Sequence, residues 1–447
     1  MEKTKDNKFI DLYINNLELL KDCAADFVNN ARSEAIESFK ILGVPDKKIE
    51  KYKYTDLKTA FDKEFEVYFT PHKIMFSSDD IFKCNIPELD TYKIYLVNGF
   101  YYGQNKLENI NGVIWGSFAE AAREYPELIS KYYNKQADNT NDGITALNTA
   151  FAQDGIFIYF PKGAILDKPL QIINLLQNHE DTFVQYRNLF IFEESAQAKV
   201  LVCDHTLSNN KFLTNCVTEI AVEQSASVEL VRMQNEHNEA VHVSSDYAVQ
   251  QANSIYNSHT ITLHGGLVRN NISVKLEGEH CENHTYGLSI TDKKQHVDNH
   301  TFIDHAVPNC ESNELFKAVM DEQSVGVVNG RILVRQDAQK TQAFQQNNNL
   351  LLLYDAKMYT KPQLEIYADD VKCTHGATVG QLNEEALFYM RSRGIGEKEA
   401  RMLQLFGFVY DVLQKLNLEV LRERVAELVN KRLRGELSRC EGCDIEC

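Results

Sequence analysis

Cys373 and His375 stand two residues apart in the run TKPQLEIYADDVKCTHGATVGQ, Thr360 to Gln381. In an extended chain, residues two apart project from the same face, so the thiol and the imidazole would lie side by side. Thiolate with imidazole is a soft ligand set that suits iron–sulfur clusters, zinc or copper. The apolar alternation at Leu364 and Ile366 reads as strand, and Gly376 and Gly380 are expected to permit close backbone approach or unusual dihedrals. Asp369 and Asp370 are adjacent, so in a strand they would face opposite sides and make poor partners for a two-carboxylate mechanism. Either could still orient the imidazole. The competing account of the pair is a buried free thiol beside a hydrogen-bonded histidine.

Two further groups have ligand chemistry. Nine of the 13 histidines fall between His237 and His305, among them His280, His284, His296, His300 and His305, with Cys281 and Cys310 in the same region. The residues suit a metal, but there is no HExxH, and strand spacing does not bring every fourth residue together as a helix does. Cross-strand pairing and bonds to carbonyls are the favoured account of such histidines. The terminal CEGCDIEC supplies Cys440, Cys443 and Cys447. C-x2-C is a ligand spacing for zinc and iron–sulfur sites, yet three thiolates leave a fourth ligand missing, and a flexible unliganded tail is the alternative.

Composition narrows the class. The 447 residues suffice for two or three packed units, and 43% hydrophobic content is that of a globular protein. A formal charge of −17 argues against a nucleic-acid surface or an anionic membrane. No run approaches 18 apolar residues, MEKTKDNKF is no signal peptide, and ten scattered cysteines suit a reducing cytoplasm. No G-x-x-x-x-G-K-[ST], G-x-S-x-G or G-x-G-x-x-G occurs, so the sequence does not ask for ATP hydrolysis, a serine nucleophile or a dinucleotide. Nothing demands an enzyme.

The elements that would position these residues follow from periodicity. Residues 9 to 41 carry apolar positions at helical spacing, stopped by Gly43 and Pro45. IYLVNGFYYG reads as a hairpin about Asn98-Gly99, and SFAEAAREYPELISKYY as helix restarted at Pro126. From Phe183 to Val379 short alternating runs recur: KVLVC, TEIAVE, SVELVRM, TITLHG, NISVKLEG, GRILVR, LLLLYD and QLEIYA. No fixed period emerges, so a sandwich and an irregular β-helix both remain open. Beyond Asn383, which reads as an N-cap, helices return: a short one with Leu387 and Met390 ended near Gly394, then a second with Ala400, Leu403 and Val409 as inner candidates. Leu418, Leu421, Val425 and Leu428 make an amphipathic face opposite Arg422, Arg424, Glu427, Lys431 and Arg432.

ADDVKCTHGATVGQLNEEALFYMRSRGI resembles the C-terminal signature of the SufD branch of the SufB/SufD family, components of the SUF iron–sulfur cluster assembly machinery. HAVPNCES, NGRILV, DAQKTQAFQQNNNLLL, ALNTAFAQDGIFIYFPKG and GVPDKKIEKYKYTDL resemble preceding blocks of the family, the last with Tyr52 where Trp is expected. The resemblance spans about Arg32 to Tyr410. It implies a mainly β protein: a right-handed parallel β-helix core over 183–382, after helices in 1–60 and a mixed α/β segment over 61–182. A helical region with the cysteine tail then occupies 383–447. It further implies a non-catalytic component that pairs with a SufB-like protein, docks a SufC-like ATPase, and forms a homodimer when isolated. His375 would hold a nascent, transient iron–sulfur cluster at the SufB interface with Cys373 beside it, and no cofactor is expected tightly bound to the isolated chain. Kept beside this are a SufB-like primary scaffold, disfavoured because Tyr354 to Thr360 has no Cys, and a His-rich metal-dependent β enzyme.

Overall fold

The computed structural model describes residues 7–22, 24–71, 89–104 and 106–436. Short segments lead in. They are β1 (Glu66–Val67), β2 (Tyr92–Val97), β3 (Phe100–Tyr101), β4 (Glu108–Ile110), β5 (Val113–Ser117) and β6 (Ile156–Phe160). β2 and β3 pair antiparallel about Asn98, which adopts φ 47°, giving the hairpin expected at Asn-Gly.

A β-solenoid of about seven turns follows. Its strands are β7 (Leu170–Leu176), β8 (Thr182–Phe192), β9 (Gln197–Thr206), β10 (Phe212–Val222) and β11 (Ser227–Asn235). β12 (Val241–Gln250), β13 (Ile255–His264), β14 (Leu267–Leu276), β15 (Glu282–Thr291) and β16 (His296–His305) continue it. β17 (Glu311–Met320), β18 (Val325–Val334), β19 (Gln342–Leu351), β20 (Lys357–Ile366) and β21 (Lys372–Gly380) complete it. Even strands from β6 to β20 form one sheet, odd strands from β7 to β21 the other, and within each run neighbours pair in parallel. The repeat is carried by backbone conformation. Ser195, Ser225, Asn253, His280, Asn309 and Lys340 all take φ near +60° at the same corner, immediately before an odd strand. Their spacing drifts and their identities vary, which is why no period is visible in the sequence. LLLLYD is only half strand. Leu350 and Leu351 end β19, and Leu353 and Tyr354 lie exposed in the turn.

The lumen between the sheets changes character along its length. Near the start it is filled by Trp115, Phe160, Ile172, Phe190 and Phe192. Farther along it turns polar, with Gln234 Nε2 donating to Asn270 Oδ1 (2.9 Å) and Asn270 Nδ2 to Asn299 Oδ1 (2.9 Å). Glu314 lies deepest in chemical terms. Its carboxylate accepts from Gln345 Nε2 (2.6 Å), and burial pushes its pKa up to about 7 despite bonds from Thr301 and Gln345. Gly330 makes room for this contact, since a Cβ there would meet Gln345 Nε2 at 2.0 Å.

Helices cover the outer faces. α1 (Asn7–Asn15), α2 (Leu17–Asp22), α3 (Asp26–Leu42) and α4 (Leu57–Phe61) precede the sheet. With α5 (Phe118–Glu124), α6 (Pro126–Tyr132) and α7 (Gly143–Phe151), they complete the N-terminal set. Phe39, Phe61, Leu147 and Phe151 pack with Phe183, Leu213 and Val243 of the even sheet. The segment between α3 and α4 is a strap over that sheet. Tyr52 is 1% exposed, donates to Asp142 Oδ2 (2.7 Å) and lies under the Arg269 guanidinium, 4.1 Å from the ring centroid. The position expected to be Trp thus serves as a cation–π platform, which Tyr also provides. Arg269 pairs with Asp298, which accepts from Thr55 Oγ1 (2.5 Å). Farther on, Lys361 meets Glu50 and Tyr54 stacks on Tyr359 at 4.2 Å.

The C-terminal helices are α8 (Glu384–Ser392), α9 (Glu397–Leu413) and α10 (Glu419–Arg434), with Asn383 capping α8 by accepting from Ala386 N. Leu405, Val409, Leu421, Val425 and Val429 pack on Leu201, Val231, Ile261 and Leu288 of the odd sheet. Two expectations are corrected here. Leu403 is 48% exposed, so it lies off the inner face of α9, whereas Ala400 and Val409 are buried. Arg432 is not part of a solvated charged side. It is 7% exposed, and it donates from Nε to the Leu263 carbonyl and from Nη1 to Asp292 Oδ2, both at 2.7 Å.

Arg269→Ala leaves the buried Asp298 without its cation and removes the guanidinium that lies on Tyr52, so chemical denaturation should show a loss of about 3–5 kcal/mol. Glu314 has its ordinary carboxyl pKa of 4.5 when unfolded and about 7 when folded. The native chain therefore keeps a proton the unfolded chain has released, and stability falls as pH rises from the first value through the second. Glu314→Gln should flatten that fall, the variant gaining on wild type by on the order of 3 kcal/mol across the window. Parallel pH profiles for the two proteins would assign the fall to other groups.

Candidate functional site

Among the described residues the last rung, β20 and β21, has a neighbour on one side only, and each strand is the edge of its sheet. In-register pairing sets what it displays. Ala343, Gln345, Asn347 and Asn349 of β19 are buried toward the lumen, and their partners on β21 are Cys373, His375, Ala377 and Val379. On β20, Thr360, Pro362, Leu364 and Ile366 lie over Val328, Gly330, Ile332 and Val334. Residues that would line the interior of a further rung therefore lie at the end of the stack, with Val379 at 46% and Ile366 at 39% exposure. Pro362 has no N–H to give to a ladder and is tolerated because β20 is an edge. Lysines at 357, 361 and 372 on the two strands are the kind of charge that discourages promiscuous edge pairing.

Cys373 and His375 share the inward face of β21, as their spacing requires. Cys373 is half-buried, packs against the lumen core, and has its thiol pKa raised by burial. A metal binding there would have to displace the thiol proton. His375 is exposed, with no hydrogen bond to its ring. Gln345 lies beneath it and Glu314 one rung deeper, and Oε1 of each is buried without a hydrogen-bond partner. Sequence reasoning missed these two, although the polar run FQQNNN within a strand was the available signal. Among the described residues no three His, Cys, Asp or Glu side chains converge to hold a metal, so this end supplies at most two ligands of a larger set.

Other expectations are corrected by the geometry. Gly376 and Gly380 have no positive φ, and nothing lies within 4 Å of a Cβ added to either, so neither is required by close approach or strain. Asp369 and Asp370 occupy the turn before β21, where Asp370 N donates to Gln339 Oε1, and neither orients His375. The histidines between His237 and His305 are dispersed over several rungs. Against the opposing effect of burial, Glu236 at 3.0 Å raises the His242 pKa well above its ordinary value. His259 is driven to about 3 by burial and lies tilted against Tyr286 at 5.1 Å, while His305 falls to about 4, also by burial, and bonds Ser312 Oγ at 2.8 Å. His264 meets Asn235 Oδ1, His296 meets Thr55 Oγ1, His280 is the left-handed corner residue before β15, and His284 lies within β15, stacked on Tyr286. Cys440, Cys443 and Cys447 lie outside the described residues.

A second surface stands beside this end. Phe388 (75% exposed) and Tyr389 (59%) of α8 join Leu403 (48%) and Tyr410 (39%) of α9 as apolar groups on the solvent side of the C-terminal helices. No described helix is long and apolar enough to cross a membrane.

Comparison with known proteins agrees with this architecture. Residues 175–408 match the family described as SUF system FeS cluster assembly, SufBD core domain, and residues 3–172 match the SufBD protein N-terminal region. The iron–sulfur cluster assembly protein SufD of Escherichia coli is 29% identical over 401 residues, covering 88% of this chain and 90% of that protein. A SufBD family protein of Synechocystis is 29% identical over 416 residues, covering 90% of each chain. The chloroplastic protein ABCI7 of Arabidopsis thaliana is 26% identical, covering 85% and 81%. The solenoid, its flanking helices and these matches together place the chain in the SufBD family of iron–sulfur cluster assembly proteins.

Proposed function

We propose that this chain is a non-catalytic, SufD-like subunit whose open solenoid end pairs with the matching end of a SufB-like partner in the cytoplasm. The observation that carries the reading is the unsatisfied final rung. It combines two long edge strands, lumen-type side chains left uncovered, and a thiol and an imidazole on the same face. Addition of a partner strand to each edge would satisfy the backbone and cover Ile366 and Val379 together. His375 and Cys373 then contribute to a nascent iron–sulfur cluster that is cargo of the complex, with the remaining ligands from the partner. His375 binds iron as neutral imidazole, and Cys373 joins only on losing its proton. Without the partner, the same edges serve a second copy of this chain.

The exposed aromatic strip of α8 and α9 supports docking of a SufC-like ATPase. That partner would supply the nucleotide-driven work for which this sequence has no phosphate loop. Similarity to SufD of E. coli and the absence of a thiol between Tyr354 and Thr360 favour this subunit role over that of primary scaffold.

The test is co-purification with the SufB-like and SufC-like proteins of the same organism, followed by iron and sulfide assay after anaerobic reconstitution. His375→Ala should assemble normally and melt like wild type, because the ring is exposed and unbonded. Iron retained on the complex should fall by about tenfold or more, since losing a ligand costs at least what losing an outer-shell partner does. Truncation before Cys440 should leave iron unchanged. Normal iron in the His375 variant removes it from the site, and tightly bound metal on the lone chain sinks the shared-site reading. Phe388→Asp should weaken retention of the ATPase while leaving the melting temperature and the SufB-like partner in place. Undiminished ATPase capture would move the docking surface elsewhere.

A further inference from the structure

Cys281 and Cys310 occupy the same place on consecutive rungs. Each directly follows a left-handed residue, His280 or Asn309 (both φ 62°), and directly precedes a paired strand start, Glu282 opposite Glu311. The column they share holds Ala196, Ala226, Ser254, Cys281, Cys310 and Thr341, all small, as a tight corner demands. Both side chains are 1% exposed. Their sulfurs converge on one acceptor: the Gly278 carbonyl takes the Cys281 thiol at 3.0 Å and the Cys310 thiol at 3.3 Å. The remaining described cysteines, Cys203, Cys216 and Cys373, lie elsewhere, on other rungs or another face.

We propose that Cys281 and Cys310 form an oxidant-responsive dithiol site that closes to an inter-rung disulfide. Parallel strands in register are spaced by about 4.8 Å, which falls within the ~4.4–6.8 Å Cα separation that disulfides span. The matching backbone on the two rungs means both Cβ atoms project in the same direction, so closure asks for rotation about the side-chain bonds and a small approach of the corners. The pair is also chemically unequal. The neighbouring Cys310 thiol lowers the Cys281 pKa to about 7 against burial, and Cys281 in turn raises that of Cys310. Cys281 is thereby the nucleophile and Cys310 the resolving thiol.

With hydrogen peroxide as oxidant, the Cys281 thiolate attacks one peroxide oxygen and the O–O bond breaks, giving a sulfenic acid and hydroxide. The Cys310 sulfur then attacks the Cys281 sulfur. The S–S bond forms as the S–O bond breaks, and the departing hydroxide and the Cys310 proton leave as water. Two thiols are oxidised and one peroxide is reduced to two waters. A small dithiol reverses the bond by exchange. The staple joins two rungs below the open end and is independent of the ligand pair at Cys373 and His375.

The experiment treats the full chain with stoichiometric hydrogen peroxide, blocks remaining thiols with iodoacetamide, and maps peptides by mass spectrometry. The expected result is one linked species containing Cys281 and Cys310, lost on treatment with dithiothreitol, while Cys203, Cys216 and Cys373 are alkylated. Cys310→Ser should abolish the link and leave a Cys281 sulfenic acid that dimedone traps. The wild-type map decides the matter even if the variant folds poorly. Recovery of both cysteines as alkylated thiols after peroxide, or a link that joins either of them to a different cysteine, overturns the proposal.

Discussion

In-register stacking of one rung on the next is the constraint from which the rest follows. Each strand from β7 to β19 has its backbone groups paired on both sides, so the stack is stable in its interior and incomplete at its end. A helix can satisfy its own backbone and a closed barrel has no edge, but an open solenoid must end somewhere. This chain closes its first turns with antiparallel pairs and aromatic filling, then leaves β20 and β21 as edges. The asymmetry between a sealed beginning and an open end is the physical origin of a candidate functional surface at this particular place.

The same stacking rule determines what can be buried. A side chain facing the lumen repeats above and below in its column, so a polar residue finds partners in the adjacent rungs. Asn270 between Gln234 and Asn299, and Glu314 beneath Gln345, show how amides and a carboxyl are accommodated where one layer alone would leave them unbonded. It also accounts for the histidines. They are distributed along strands as cross-rung and corner groups, with the pKa of His242 raised by Glu236 and those of His259 and His305 lowered by burial.

Much of the β architecture could be read where strands are apolar, as in KVLVC or NISVKLEG. It was hidden where the lumen is polar: ENHTYGLSIT and QAFQQNNNLL are strands whose alternation is between kinds of polar residue, so hydropathy does not mark them. The repeat escaped notice because its marker is a left-handed backbone position filled in turn by Ser, Asn, His and Lys. The Cys373–His375 adjacency was legible because strand geometry alone fixes it. The roles guessed for Asp369, Asp370, Gly376 and Gly380 failed because they lie in a turn and on an open face, a placement that depends on where the stack ends and not on local pattern. Arg432 misled for a similar reason, its burial being set by the carbonyl of Leu263 across the odd sheet.

The strap that carries Tyr52 and Thr55 has a temporal consequence. Its partners lie far downstream: Thr55 and Asp298 are separated by 243 residues, and Glu50 and Lys361 by 311. During synthesis these anchors do not yet exist when the strap leaves the ribosome, and the loop to be closed is among the longest in the molecule. Its contacts with Asp142, Phe183 and Leu213 are available earlier, so the strap is fastened in two stages, the far contacts last. The first part of the chain thereby ties itself to rungs that lie hundreds of residues away in sequence.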